Sequence, residues 1–180
     1  MRVITGTARG RKLKTPDSYD VRPTTDNVKE SIFNILSFDI EGRKVLDLFA
    51  GTGQLGIEAL SRGAAEAVFV DSSDASLKIV KENLQLCKLS AQVIRSDALA
   101  FLDRGLKFDI IFVDPPYDSA LYEPVLNKIN EIDLLNDCGI IVVESRRDLE
   151  LPEMRAPYRK QKEYHYGKIK IATYIRESQE

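Results

Sequence analysis

Two stretches hold residues able to do chemistry. The first is Asp114-Pro115-Pro116-Tyr117, which follows the apolar run Phe108-Asp109-Ile110-Ile111-Phe112-Val113. Prolines cannot continue a central strand and carry no N–H, so the backbone is stiff there and its carbonyls are free to accept. An acid, accepting carbonyls and an aromatic ring at one strand end suit a planar amine. Asp114 and a proline carbonyl can accept both hydrogens of an exocyclic amino group while Tyr117 stacks on the ring. Holding those hydrogens out of the ring plane frees the nitrogen lone pair, and Asp114 can take the proton released. The plainer reading is a Pro-Pro turn that ends a strand.

The second stretch is Val45-Leu46-Asp47-Leu48-Phe49-Ala50-Gly51-Thr52-Gly53-Gln54-Leu55-Gly56. An almost unbroken apolar run suits a parallel strand covered on both faces. Glycines at the G-x-G-x-x-G spacing let the chain turn sharply, bring bare backbone against a ligand and pack the next helix close. Asp47 decides the sign of that ligand. A pyrophosphate would be repelled by it, whereas an ammonium or sulfonium group would be attracted. S-adenosylmethionine carries both cations and no phosphate, so the residues favour a methyl donor over a dinucleotide. Asp47 serves equally as a cap for the glycine turn.

Other acids fall at the ends of further apolar runs. Ala67-Val68-Phe69-Val70-Asp71 reads as the next strand, and Asp71 stands where ribose hydroxyls are held about twenty residues past such glycines. With Ser72, Ser73 and Asp74 it can instead cap the following helix. Residues 91–95 form a third strand. Asp97, before Ala98, can accept from an adenine amino group or cap a short helix through Leu102.

The elements that would carry these residues alternate. Leu77, Val80, Leu84 and Cys87 mark one helix, and Leu121, Val125, Ile129 and Ile132 another. Residues 139–144 read as a fifth strand, and 158–166 with 169–175 as a closing antiparallel pair around Gly167. This order predicts an α/β domain with a parallel sheet covered on both faces and antiparallel strands at its end. Upstream, Val3-Ile4-Thr5 and Lys12-Leu13 flank Gly6 and Gly10, which suggests a small hairpin with a basic face. Arg9, Arg11 and Lys12 there suit phosphate contacts, or simply a solvated edge. Next, Thr24 or Thr25 can cap a helix bearing Val28, Ile32, Ile35 and Leu36, which would bring Arg22 and the threonines near the cofactor.

Bulk properties narrow the classes. At 180 residues, 43% hydrophobic and 30% charged, the chain suits one domain with a sizeable core. A net charge of −2 means that nucleic acid must be met by local basic patches. No membrane span or signal-peptide core is visible, so a cytoplasmic protein is expected. Cys87, Cys138 and the lone His165 make a metal site unexpected, and Cys87 fits a buried small hydrophobe.

D-x-F-x-G-x-G from Asp47 and D-P-P-Y from Asp114 resemble the class I S-adenosylmethionine-dependent methyltransferases. Nearly the whole chain is similar to the RsmD family, bacterial enzymes that methylate N2 of guanine 966 in 16S ribosomal RNA. The similarity rests on Gly6-Thr7-Ala8-Arg9-Gly10-Arg11-Lys12-Leu13, on Arg22-Pro23-Thr24-Thr25-Asp26-Asn27-Val28-Lys29-Glu30, and on the glycine stretch continued through Ser61-Arg62-Gly63. It implies a Rossmann-like, seven-stranded, mostly parallel sheet with helices on both faces, preceded by a short hairpin and helix. Residues 1–26 would form a basic arm and 27–180 the methyltransferase domain. It further implies that Gly51 and Gly53 border the methionine portion of the cofactor, Asp71 the ribose and Asp97 the adenine, with Asp47, Phe49, Ala50, Ser72, Ala98 and Thr24 also at the cofactor site. Asp114, Pro115, Pro116 and Tyr117 would face the guanine, and Arg9, Arg11, Lys12 and Arg22 the RNA of an assembling small subunit. A monomer without metal is expected. Gln54 departs from the small residue frequent at its position, and its side chain can point to solvent.

Three other readings use the same residues. D-P-P-Y also serves adenine-N6 DNA methyltransferases, which usually carry a target-recognition segment for which this chain has little room. The glycines and Asp71 suit an NAD-dependent oxidoreductase, against which Asp47 stands. A non-catalytic RNA-binding factor could keep the cofactor fold.

Overall fold

The protein is described here by a computed structural model covering residues 1–16, 26–36, 39–116 and 119–177. Arg22, Thr24, Thr25 and Tyr117, singled out above, lie outside the described residues. The elements run in the order α1 (Asp26–Ile35), β1 (Lys44–Asp47), α2 (Gln54–Ser61), β2 (Glu66–Asp71), α3 (Asp74–Cys87), β3 (Gln92–Arg95), α4 (Ala98–Leu102), β4 (Phe108–Val113), α5 (Tyr122–Ile132), β5 (Leu135–Arg146), β6 (Tyr158–Tyr166) and β7 (Ile169–Arg176).

The seven strands lie in the order β3-β2-β1-β4-β5-β7-β6. β1 to β5 are parallel, and β7 runs antiparallel to both β5 and β6. Strand order reverses between β1 and β4, which pair with Val45 opposite Ile110 and Asp47 opposite Phe112. Apolar alternation makes two cores from one sheet. Val45, Phe69, Ile110 and Phe112 face α1, α2 and α3, while Leu46, Val68, Ile111 and Val113 face α4 and α5. That double burial is why β1 and β4 read as continuous apolar runs.

The fifth strand is longer than expected. It begins at Leu135, opposite Phe108, and its register shifts before Ile140 meets Ile110. Asp137 and Cys138 are exposed in that first part, so no alternation marks it in the sequence. α3 matches its pattern: Leu77, Val80, Leu84 and Cys87 are buried. The Ser73 hydroxyl caps it by accepting the Ser76 N–H at 3.3 Å.

The N-terminal hairpin is held by one antiparallel bridge, Arg2 to Lys12. The Val3 N–H donates to the Arg11 carbonyl and the Gly10 N–H to the Val3 carbonyl, both at 2.9 Å. Val3, Ala8 and Leu13 are buried in the core shared with α1 and α2. Polar groups from α2 then dock the hairpin backbone. The Glu58 carboxylate accepts the N–H groups of Ile4 (2.8 Å) and Thr5 (2.9 Å). Ser61 Oγ accepts from Ala8 N–H at 2.9 Å and donates to the Thr5 carbonyl at 2.6 Å. A Cβ on Gly6 would sit 1.7 Å from the Ser61 carbonyl oxygen, so only glycine fits there.

Two fully buried charges complete this contact. Lys29 Nζ lies 3.9 Å from Glu58, and Arg62 Nε donates to the same carboxylate at 2.9 Å. Lys29 also donates to the Arg2 carbonyl. Burial pushes the Lys29 ammonium below the usual lysine range, against the pull of Glu58 and Asp26.

Candidate active site

Acidic side chains stand at or just past the carboxyl ends of four adjacent strands. In sheet order they are Asp97 after β3, Asp71 ending β2, Asp47 ending β1 and Asp114 following β4. Ligands of open α/β sheets bind at this edge, beside the point where strand order reverses.

Asp47 is 2% exposed, and its Oδ2 accepts the Gly56 N–H at 3.0 Å. The cap on the glycine turn set out above is thus formed, by a carboxylate that ends β1. Burial pushes the carboxyl up to about 7, the Gly56 N–H opposes this, and the nearby Asp71 charge adds to it. A buried carboxylate with one backbone donor is a site for a cation.

The glycine loop takes the shape its spacing predicts. Gly51 and Gly53 adopt left-handed backbone, with φ 53° and 78°. A Cβ on Gly51 would meet nothing closer than the Phe49 carbonyl oxygen at 4.0 Å, so the backbone is open on that side. Gly56 has a different role: a Cβ there would lie 2.3 Å from Phe69 Cε1, because α2 packs directly on β2. Ala50 is buried, with its N–H on the Val70 carbonyl at 2.9 Å, and Phe49 is half-buried.

Asp71 ties that loop to the next strand. Its Oδ2 accepts the Gly51 N–H at 2.9 Å and its Oδ1 the Ser73 N–H at 2.8 Å. A carboxylate has about four acceptor positions, so a diol can still be received. Ser72 beside it is exposed. Asp97 caps α4: its Oδ1 accepts from Leu99 N–H at 2.9 Å and Ala100 N–H at 3.2 Å, which leaves Oδ2 outside the cap. Ala98 is buried as the first residue of that helix.

On the other side of the reversal, Asp114 is half-buried, Pro115 buried and Pro116 exposed. Their backbone is anchored by contacts absent from the sequence reading. The buried Tyr122 hydroxyl of α5 lies 3.4 Å from the Pro115 carbonyl oxygen and 3.2 Å from that of Glu144. Burial, then the charges of Asp114 and Glu144, push its phenol well above the usual range, so it acts as a donor. The Ser119 N–H donates to the Pro116 carbonyl at 2.9 Å. Each carbonyl keeps a second lone pair. Tyr122 has the spacing of a core aromatic; its functional neighbour is visible only once α5 is folded against β4 and β5.

Gln54 corrects the sequence reading. It is 7% exposed rather than solvent-facing, because α2 is covered by the hairpin, the sheet and α3. Its Oε1 and the Ser119 Oγ are buried without a hydrogen-bond partner among the described residues. Buried polar atoms are normally satisfied, and here the exceptions flank the loop and the acceptor turn. Orphaned acceptors, open glycine backbone and a buried carboxylate fit a cationic, polar cofactor.

The basic residues are placed less simply. Arg9, Arg11 and Lys12 are all exposed. The hairpin turn rests on Ser61, at the end of α2 remote from the glycine loop. Its open end returns to that loop, where Thr52 Oγ1 lies 3.7 Å from Met1 Sδ and Asn83 joins Lys14 to the Thr52 carbonyl. No group of three potential metal ligands occurs among the described residues, and no helix there is long and apolar enough to cross a membrane.

A family model described as conserved hypothetical protein 95 matches residues 1–175. YlbH of Bacillus subtilis (strain 168) is 43% identical over 180 residues, covering 97% of this chain and 98% of that protein. The Escherichia coli (strain K12) protein named ribosomal RNA small subunit methyltransferase D is 40% identical over 181 residues, covering 99% of this chain and 91% of its own length. The solved structure of Escherichia coli yhhF superposes with a TM-score of 0.89 at 40% identity, covering 99% of both chains. A hypothetical protein of Thermus thermophilus gives 0.83 at 28% identity with the same coverage. With the sheet order, the glycine loop and the Asp-Pro-Pro turn all in place, these matches show that the chain belongs to the RsmD family.

Proposed function

We propose that this protein transfers a methyl group from S-adenosylmethionine to the exocyclic N2 of a guanine in small-subunit ribosomal RNA, guanine 966 by resemblance, on an assembling subunit. The observation that carries the reading is the pairing of β1 with β4. It sets the Asp47 loop and the Asp114-Pro115-Pro116 turn one strand spacing apart, about 4.8 Å across the sheet.

Asp47, Phe49, Ala50, Gly51 and Gly53 would hold the methionine part of the cofactor, Asp71 and Ser72 the ribose, and Asp97 and Ala98 the adenine, with Thr24 completing the site. Bound there, S-adenosylmethionine supplies an already activated sulfonium methyl. The protein's own work is then orientation and proton handling. Asp114 and the Pro115 carbonyl accept the two amino hydrogens, and Tyr122 holds that carbonyl in place. Tyr117 stacks on the guanine. Aligning the nitrogen lone pair at short range supplies several kcal/mol of the barrier. As the nitrogen–carbon bond forms, the sulfur–methyl bond would break with its electron pair left on the departing thioether, and the amino group would lose a proton, which Asp114 accepts and passes to solvent. Arg9, Arg11, Lys12 and Arg22 contact RNA phosphates, which give affinity without sequence information. The protein acts as a monomer in the cytoplasm, without a metal ion.

The test is incubation with isotope-labelled S-adenosylmethionine and small subunits lacking the modification, with free rRNA and DNA in parallel, followed by digestion to nucleosides. Labelled N2-methylguanosine from the subunit is the expected result. Label in N6-methyladenine of DNA would keep the Asp114 chemistry and overturn the substrate. No label in any polymer, with the cofactor bound, would overturn the nucleic-acid substrate and point to a small-molecule or protein acceptor or to a non-catalytic RNA-binding factor.

A further inference from the structure

The outer side of α3 and the edge strand β3 frame a groove of about 440 Å³, lined by Lys78, Lys81 and Arg95 with the acids Asp74 and Glu82. Both acids are already engaged. Glu82 pairs with Lys14 of the hairpin at 2.8 Å, and Asp74 with Arg95 at 3.3 Å. Lys78 and Lys81 are exposed and enter no ion pair among the described residues. On a chain of net charge −2, this is a local excess of positive charge.

Its position is as informative as its charge. At one end the groove meets the hairpin, since Asn83 accepts the Lys14 N–H at 2.7 Å and donates to the Lys14 carbonyl at 3.1 Å. At the other, Arg95 closes β3 and reaches the Ser72 carbonyl at 3.5 Å, beside the proposed ribose site. Three strand spacings, about 14 Å, separate β3 from β4. A polyanion of several nucleotides that places a base at Asp114 is therefore long enough to reach this face and Lys14 of the hairpin beside it.

We propose that the groove between α3 and β3 is a phosphate-contact surface for the rRNA substrate, with Lys78 and Lys81 as the contacting groups. The proposal rests on the rRNA methyltransferase reading above. Cations beside an exposed edge strand can instead serve to block strand-to-strand association, and the test separates the two roles.

The double variant Lys78→Gln/Lys81→Gln is compared with wild type for affinity to small-subunit rRNA and to subunits lacking the methyl group, across a salt series. Two lost phosphate contacts lower the slope of log affinity against log salt by about two and weaken binding roughly tenfold at moderate salt. S-adenosylmethionine affinity and kcat at saturating substrate stay unchanged. Unchanged RNA affinity and slope would overturn the proposal, as would self-association of the variant with RNA binding intact, which would assign the lysines to edge protection. If wild type neither binds nor labels any rRNA, the rRNA reading itself fails and takes this surface with it.

Discussion

The two halves of the carboxyl edge are built on different principles. Around β1, β2 and β3, each acid accepts from backbone N–H groups: Asp47 from Gly56, Asp71 from Gly51 and Ser73, Asp97 from Leu99 and Ala100. After β4, the Asp-Pro-Pro backbone is instead held by a side chain, the Tyr122 hydroxyl of α5, which also reaches Glu144 of β5. The proposed cofactor half is thus organised by backbone donors to its carboxylates, whereas the proposed acceptor half depends on one buried side chain of α5.

The comparison is tested most sharply at Asp114. Asp114→Ala should lower kcat by about 100- to 10,000-fold while S-adenosylmethionine binds as before. Equilibrium dialysis beside single-turnover kinetics checks this, and loss of cofactor binding would merge the two halves. Next in size is Gly56→Ala, which drives a Cβ to 2.3 Å from Phe69. Overpacking of this kind costs about 1–3 kcal/mol, read as a lower midpoint in denaturant together with weaker cofactor binding.

Asp47 supplies a pH signature for the cofactor half. Its folded pKa of about 7 lies above the ordinary 3.8. Stability of the cofactor-free protein should therefore fall as pH rises from about 4 through about 7, because the folded state holds a proton that the unfolded chain releases. Affinity for the cationic cofactor should move the opposite way, weakening up to about tenfold per pH unit below 7 as the carboxylate is neutralised. Asp47→Asn should flatten both profiles in calorimetric titrations; a pH dependence that survives the substitution would remove Asp47 from the site. The smallest effect is expected at Tyr122→Phe, which deletes one buried hydroxyl. Stability should drop by about 1 kcal/mol, and kcat several-fold with cofactor affinity unchanged. A change in cofactor affinity instead would place Tyr122 in the cofactor half.

Legibility in the sequence followed how local each feature is. The glycine loop, Asp71 and the short helix behind Asp97 could be read directly, because strand ends, caps and glycine turns are local and their spacing survives in one dimension. β1 and β4 were visible as apolar runs because both their faces are buried. The first part of β5 was not, since Asp137 and Cys138 interrupt the pattern and pairing with Phe108 alone extends the strand. Gln54 looked solvent-facing because nothing near it in sequence announces that the hairpin, the sheet and α3 all close over α2.

The amino-acid sequence by itself determined the alternating α/β order, the acidic residue beside the glycine loop and the Asp-Pro-Pro turn at the end of an apolar strand, each of which depends on residues within a dozen positions of one another. Only the tertiary structure decided how the hairpin docks through Glu58, Ser61 and Asn83, that its turn lies at the end of α2 remote from the glycine loop, and that the Tyr122 hydroxyl joins Pro115 to Glu144. The hairpin contacts join residues 53 to 69 positions apart, and Tyr122 lies 22 positions from Glu144. Hydrogen bonds to buried backbone and the placement of charge on a shared face carry no period, so they become readable only when the chain is packed.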